Sequence, residues 1–98
     1  MNAKVHIVVD PELREFIPSY LANRQRDFKT LQEANNKSDY KTIQVISHKI
    51  RGHARSYGFG PLSDICTAME RAAIEQKHDV ITSQLAAYHD YLETIELD

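Results

Sequence analysis

Apolar positions recur along most of this chain at intervals of three and four residues, the spacing of helices that bury one side. Leu62, Ile65, Cys66, Met69, Ala72 and Ala73 form one stripe, and Ile81, Leu85, Tyr88, Leu92 and Ile95 form another. Ile43, Ile46, Ser47, Ile50, Ala54 and Tyr57 form a third. Leu21, Phe28 and Leu31 keep looser helical spacing to about Ala34. Only Val5 to Val9 has any look of a strand, and it reads equally well as a hydrophobic lead-in that closes one end of the core.

The breaks between these stripes carry start and stop signals. Asp10-Pro11-Glu12 offers a capping side chain, a proline for the first helical position and an acid for the first turn. Pro18 pushes Ile17 out of the helical region. The pattern therefore predicts a short helix to about Ile17 and a longer one from about Pro18, or one kinked helix. Asn35 to Asp39 is a polar break with two capping candidates, Ser38 and Asp39. A second helix should run from about Asp39 to Tyr57, with Gly58 serving structurally as its C-terminal cap. Gly60-Pro61 restarts the chain, Glu75 to Asp79 closes the third helix, and Asp79 is the expected cap of the fourth. The fold class predicted is all-α: an antiparallel up-down-up-down four-helix bundle with a short N-terminal lead-in or helix. At 98 residues, residues 1–98 are expected to form one domain.

Composition narrows the function classes. The single cysteine, Cys66, excludes an internal disulfide and a Cys-rich zinc site, and its place in the third helix's stripe gives it a structural role. A lone thiol without a signal peptide leads us to expect a cytoplasmic protein. The apolar run at Val5 to Val9 is too short to span a membrane, so no membrane partner is expected. A net charge of −2 argues against a nucleic-acid partner, as does the lack of aromatics interleaved with the basic residues of the second helix. No phosphate-binding loop or kinase motif set occurs, so ATP-dependent kinase activity of its own is not expected. His78 and His89 lie eleven residues apart, about 16 Å along a helix. No metal site is expected there.

The candidate chemistry lies in "HKIRGHARSYG", His48 to Gly58. On a wheel of roughly 100° per residue, His48 falls nearly opposite the second helix's core stripe. Gln44, Arg51, Gly52 and Arg55 surround it, Lys41 lies two turns back, and Val45 is an apolar residue pointing outward. His53 falls more than about 90° away, on the flank of the core stripe, so the two histidines cannot share a metal. A neutral imidazole is a competent nucleophile near pH 7, and guanidinium groups stabilise a phosphoryl group by charge-assisted hydrogen bonds. Gly52 weakens the helix by about 1 kcal/mol relative to alanine, and it leaves room for a partner to approach. The plain alternative is a solvated basic face, which explains Gly52 least well.

The segment Ser47 to Ala73, "SHKIRGHARSYGFGPLSDICTAMERAA", resembles the histidine-containing phosphotransfer (Hpt) domains of multistep two-component phosphorelays. The family pattern of His, basic residue, Gly and a later Gly is matched by His48, Arg51, Gly52 and Gly58. Leu62, Cys66 and Glu70 match positions on the next helix, and Val9 to Leu21 looks like the family's entry helix. Arg51 stands where Lys is more usual, and His53 where small residues are common. The resemblance implies a four-helix bundle. It implies that His48 accepts a phosphoryl group from the aspartyl phosphate of one receiver domain and passes it to the Asp of another. Arg51 would contact the phosphoryl group and Gly52 would clear the approach. Gln44, Val45, Arg55 and Lys41 would form the docking surroundings. The partners implied are receiver domains of response regulators or hybrid histidine kinases, docking on a monomer. No cofactor of its own is implied, since the receiver brings Mg²⁺. The alternative is a non-catalytic helical protein–protein interaction module, which accounts for the periodicity equally well.

Overall fold

A computed structural model describes residues 5–7 and 9–97. Four helices make up most of it: α1 (Ile17–Asn36), α2 (Tyr40–His53), α3 (Gly60–Ile74) and α4 (His78–Thr94). Each packs on its neighbours in chain order, and α1 packs on α4, so the four close into a ring around one core. Their short connections make sequential helices antiparallel, as the periodicity predicts. Tyr88, Phe59, Ile17, Leu31, Ile43, Ile50, Leu62, Met69, Ile81 and Cys66 are fully buried there.

The stripes are the core, with one polar exception. Ser47 lies at the centre of the α2 stripe, fully buried with Ile43, Ile50 and Ala54, while Ile46 and Tyr57 are half-buried at the stripe's edge. Tyr88 buries its ring and donates its hydroxyl proton to the carbonyl of Arg24 at 2.6 Å, so α4 is hydrogen-bonded to α1 through the core.

Several ends differ from the expectation. Asp10 organises a turn rather than a helix: its side chain accepts from the Glu12 amide at 2.9 Å and its carbonyl from the Leu13 amide. A 3₁₀ turn, Arg14–Phe16, then leads straight into α1, and Pro18 sits in the first turn. No kink is needed, because a proline there gives up an amide that has no helical acceptor. Asp39 caps α2, accepting from the Thr42 amide at 3.2 Å and the Thr42 hydroxyl at 2.6 Å. Those two bonds hold its carboxyl below the ordinary carboxylate range. α2 stops at His53, four residues before the expected end, and a 3₁₀ turn (Arg55–Tyr57) carries the chain to Gly58. Gly58 has φ 94°, the left-handed conformation expected of that cap. α4 starts at His78 with Lys77 in the capping position, after a left-handed Gln76 (φ 57°); Asp79 is not the cap but lies in the first turn.

The larger difference is at the chain's ends. Val5–Ile7 (β1) pairs in parallel with Ile95–Leu97 (β2), Val5 opposite Ile95. Ile95 fits the α4 stripe by spacing, but its backbone is extended (φ −67°, ψ 131°). It still packs on the core, half-buried, from the strand rather than from the helix. The lead-in also contributes Ile7 and Val9 to the core.

Burial of ionisable groups gives the fold an alkaline limit. Desolvation pushes the Cys66 thiol and the Tyr91 phenol up to about 12 each, and raises Tyr88 and Tyr20 as well. In the unfolded chain these groups lose protons from about pH 8.5 to 10. Above that range the unfolded state holds fewer protons than the folded one, so stability falls as pH rises. Their contribution is complete below about pH 8 and is lost progressively as pH rises from there to about 12. Thermal melts across that range should show the midpoint dropping steadily, and Tyr88→Phe should flatten the drop while lowering the starting midpoint.

Candidate functional site

His48 stands on the outer face of α2 with its side chain 62% exposed. What orients it comes from α3. The Glu70 side chain is only 14% exposed, and one oxygen, Oε2, lies 2.8 Å from His48 Nδ1. The other, Oε1, accepts from Arg51 Nε at 2.7 Å. An ionised carboxylate only accepts, so this contact assigns the ring proton to Nδ1 and leaves the Nε2 lone pair uncommitted. Arg51 Nη2 also approaches Nδ1, at 3.3 Å, but a protonated Nδ1 gives it nothing to donate to. One carboxylate thus holds both the imidazole and the guanidinium three residues after it.

A second contact fixes the height of α3 against α2. Ser63, buried, donates its hydroxyl proton to the Arg51 carbonyl at 2.9 Å, in the last turn of α2. Ser63 and Glu70 are seven residues apart, two turns on the same face of α3. Arg51 is therefore gripped through its backbone by one and its guanidinium by the other.

Around this centre the other candidates fall as follows. Gly52 is exposed one turn beyond His48, and a Cβ built on it would meet nothing within 4 Å. Nothing in this chain requires glycine there. Val45, 38% exposed, and the half-buried Gln44 lie one turn before His48, with the exposed Lys41 a further turn back. Arg55 extends its guanidinium along the start of α3, donating to Asp64 at 2.7 Å, with both side chains well exposed. Such a pair is worth about 0–1 kcal/mol and is readily released. Gly60 accommodates it, since a Cβ there would come within 3.1 Å of Arg55 Nη1. Cys66 is buried, and burial keeps its thiol protonated.

His53 belongs to a different seam. It is half-buried against α1, with Nδ1 2.9 Å from the Tyr20 hydroxyl and Nε2 3.5 Å from Arg24. Its ring meets Tyr20 edge-on at 5.3 Å, and Tyr20 stacks on Tyr57 at 4.3 Å. Burial first, then the Arg24 charge, lowers its pKa from the ordinary histidine value. So one histidine looks toward α3 and solvent, and the other toward α1 and the core. Among the described residues no cluster of three metal-ligating side chains occurs, and no helix is long and apolar enough to cross a membrane.

Sequence reasoning placed Glu70 only as a match to a family position and passed over Ser63 entirely. A signal for Glu70 was present. It follows Cys66 by four residues, at the rim of the α3 stripe, where a carboxylate needs donors from a neighbouring helix.

The bundle thus sets the His48 imidazole on the solvent face of α2, with Glu70, Arg51 and the open Gly52 beside it. The chain belongs to the Hpt domain family, whose sequence profile matches residues 15–97. It is thus a histidine phosphotransfer module of the phosphorelay type. Neither the curated proteins nor the solved structures compared with it contain a match.

Proposed function

We propose that His48 is the phosphorylated residue, taking a phosphoryl group from the aspartyl phosphate of one receiver domain and giving it to the aspartate of another. The contact that carries this reading is the Nδ1–Glu70 hydrogen bond, because it leaves Nε2 as the free nucleophile on the solvent face. Attack by Nε2 forms the N–P bond as the Asp O–P bond breaks, and the receiver carboxylate leaves with the electron pair. The steps reverse for the second receiver. Arg51 stands at the Nδ1 edge of the ring, paired with Glu70; a turn of its guanidinium toward Nε2 would bring it to the oxygens of the transferring group. The receiver brings Mg²⁺ and the acidic pocket, so this chain supplies nucleophile, cation and clearance, and the reaction is mainly positioning and charge stabilisation. Val45 and Gln44, with Lys41 a turn further out, give the partner a mixed apolar and basic footing suited to a short-lived complex.

The test is transfer itself. The purified chain is mixed with receiver domains phosphorylated on aspartate, and the label is followed by mass spectrometry under conditions that preserve phosphohistidine. Label should reach His48 from at least one receiver of the same cell and return to a second, unphosphorylated receiver. A chain that binds receivers but never takes label would instead be the non-catalytic interaction module.

A further inference from the structure

We infer that the charge of Glu70 sets how far the phosphoryl equilibrium lies toward this protein, in addition to orienting the ring; this rests on His48 being the acceptor. The inference follows from charge accounting at the ring. The form of the imidazole that can attack is the neutral one, with its proton on Nδ1 and its lone pair on Nε2. When Nε2 takes the phosphoryl group no proton moves: the N–P bond uses that lone pair, the Asp O–P bond breaks, and the receiver carboxylate leaves with its electrons. The ring keeps its Nδ1 proton and becomes the cationic half of a phosphoimidazolium group, whose two negative phosphoryl charges sit at Nε2, across the ring from Oε2 and on the solvent side where water screens them. Oε2 of Glu70, 2.8 Å from Nδ1, therefore bonds to a neutral donor before transfer and to a cationic one after it. A hydrogen bond between two ions is the stronger kind, and the carboxylate is 14% exposed, so water screens it only in part. The interaction favours the phosphorylated form of this chain over the phosphorylated receiver.

The neighbouring charges do not remove this bias. Arg51 takes the other carboxylate oxygen, Oε1, and leaves Oε2 to the ring; its Nη2, 3.3 Å from Nδ1, opposes the ring cation, but it does so equally with Glu or Gln at position 70, so the comparison of the two isolates the Glu70 charge. Arg71 and Glu75, which line the same concavity with Arg51, Thr67, Glu70 and Ile74, carry opposite charges. A residue that only positioned His48 would speed or slow transfer equally in both directions. A residue that stabilises the ring cation changes the ratio of the two rates.

The experiment measures that ratio. One phosphorylated receiver and this chain are brought to equilibrium from both directions, and the phospho-His48 to phospho-receiver ratio is read for the wild type, Glu70→Gln and Glu70→Asp. Gln keeps an acceptor oxygen in place and removes the charge, so the equilibrium should shift about fivefold toward the receiver. Asp keeps the charge and withdraws the oxygen by one methylene, so it should slow both directions and shift the ratio less than Gln does. An unchanged or increased phospho-His48 share in Glu70→Gln overturns the inference and leaves Glu70 a purely positioning residue. Nitrogen-15 shifts of the phosphorylated wild type give a check that needs no variant. Nδ1 should be protonated at neutral pH, and an unprotonated Nδ1 also overturns the inference. Absence of label on wild-type His48 would instead refute the assignment of His48.

Discussion

His48→Gln is expected to reduce phosphoryl transfer from a receiver to background, a loss of more than about a thousandfold, with little change in thermal stability. The nucleophile is removed outright, and no other group near it offers a replacement lone pair. The fold should tolerate the change because the side chain is mostly exposed and glutamine can still donate to Glu70. His53→Gln is the matched control and should behave in the opposite way. It breaks the contact with Tyr20 and disturbs the Tyr20–Tyr57 stack, so it should destabilise the fold by about 1 kcal/mol and leave transfer within a few-fold of wild type. Transfer assays and melts on both variants check this. Label that persists in His48→Gln and vanishes in His53→Gln would reverse the assignment of the two histidines.

That the two can be separated at all was visible on a helical wheel, because five residues turn a helix far enough to put one on the solvent side and the other on a flank. The wheel had less to say about what meets them. Glu70 and Ser63 act from α3, and their partners depend on how deeply and at what height two helices pack, which periodicity does not encode. Arg55 shows the same limit. Its wheel position puts it on the His48 side, but the end of α2 at His53 and the turn through Tyr57 bring it to Asp64. The β1–β2 pair was hidden for a related reason. Three-residue strands at opposite ends of the chain carry almost no local pattern, and Ile95 satisfied the α4 spacing well enough to pass as helix. What the pattern did reveal was set by local rules: four amphipathic stripes, a helix cap at Ser38 or Asp39, of which the structure uses Asp39, and the left-handed Gly58.

Gly52→Ala is expected to move stability and function in opposite directions. In the free protein, alanine should stabilise α2 by about 0.5–1 kcal/mol, since it limits the freedom of the unfolded backbone. The structure sets no steric cost against that gain, because the added Cβ meets nothing within 4 Å. Helical Cβ atoms tilt toward the N-terminus, so this one leans over the turn that carries His48. On the proposed transfer, that is the space a receiver's phosphorylated aspartate would enter to reach Nε2. Pushing the reacting atoms about 1 Å apart costs about a hundredfold in rate, so transfer should fall by about that factor, and further in Gly52→Gln. Melting temperature and transfer rate, measured on the same preparation, decide the matter. A variant that melts higher and transfers poorly means glycine is kept for the approaching partner. Undiminished transfer in Gly52→Gln would show that the receiver reaches His48 from another side, and Gly52 would then have no role in docking.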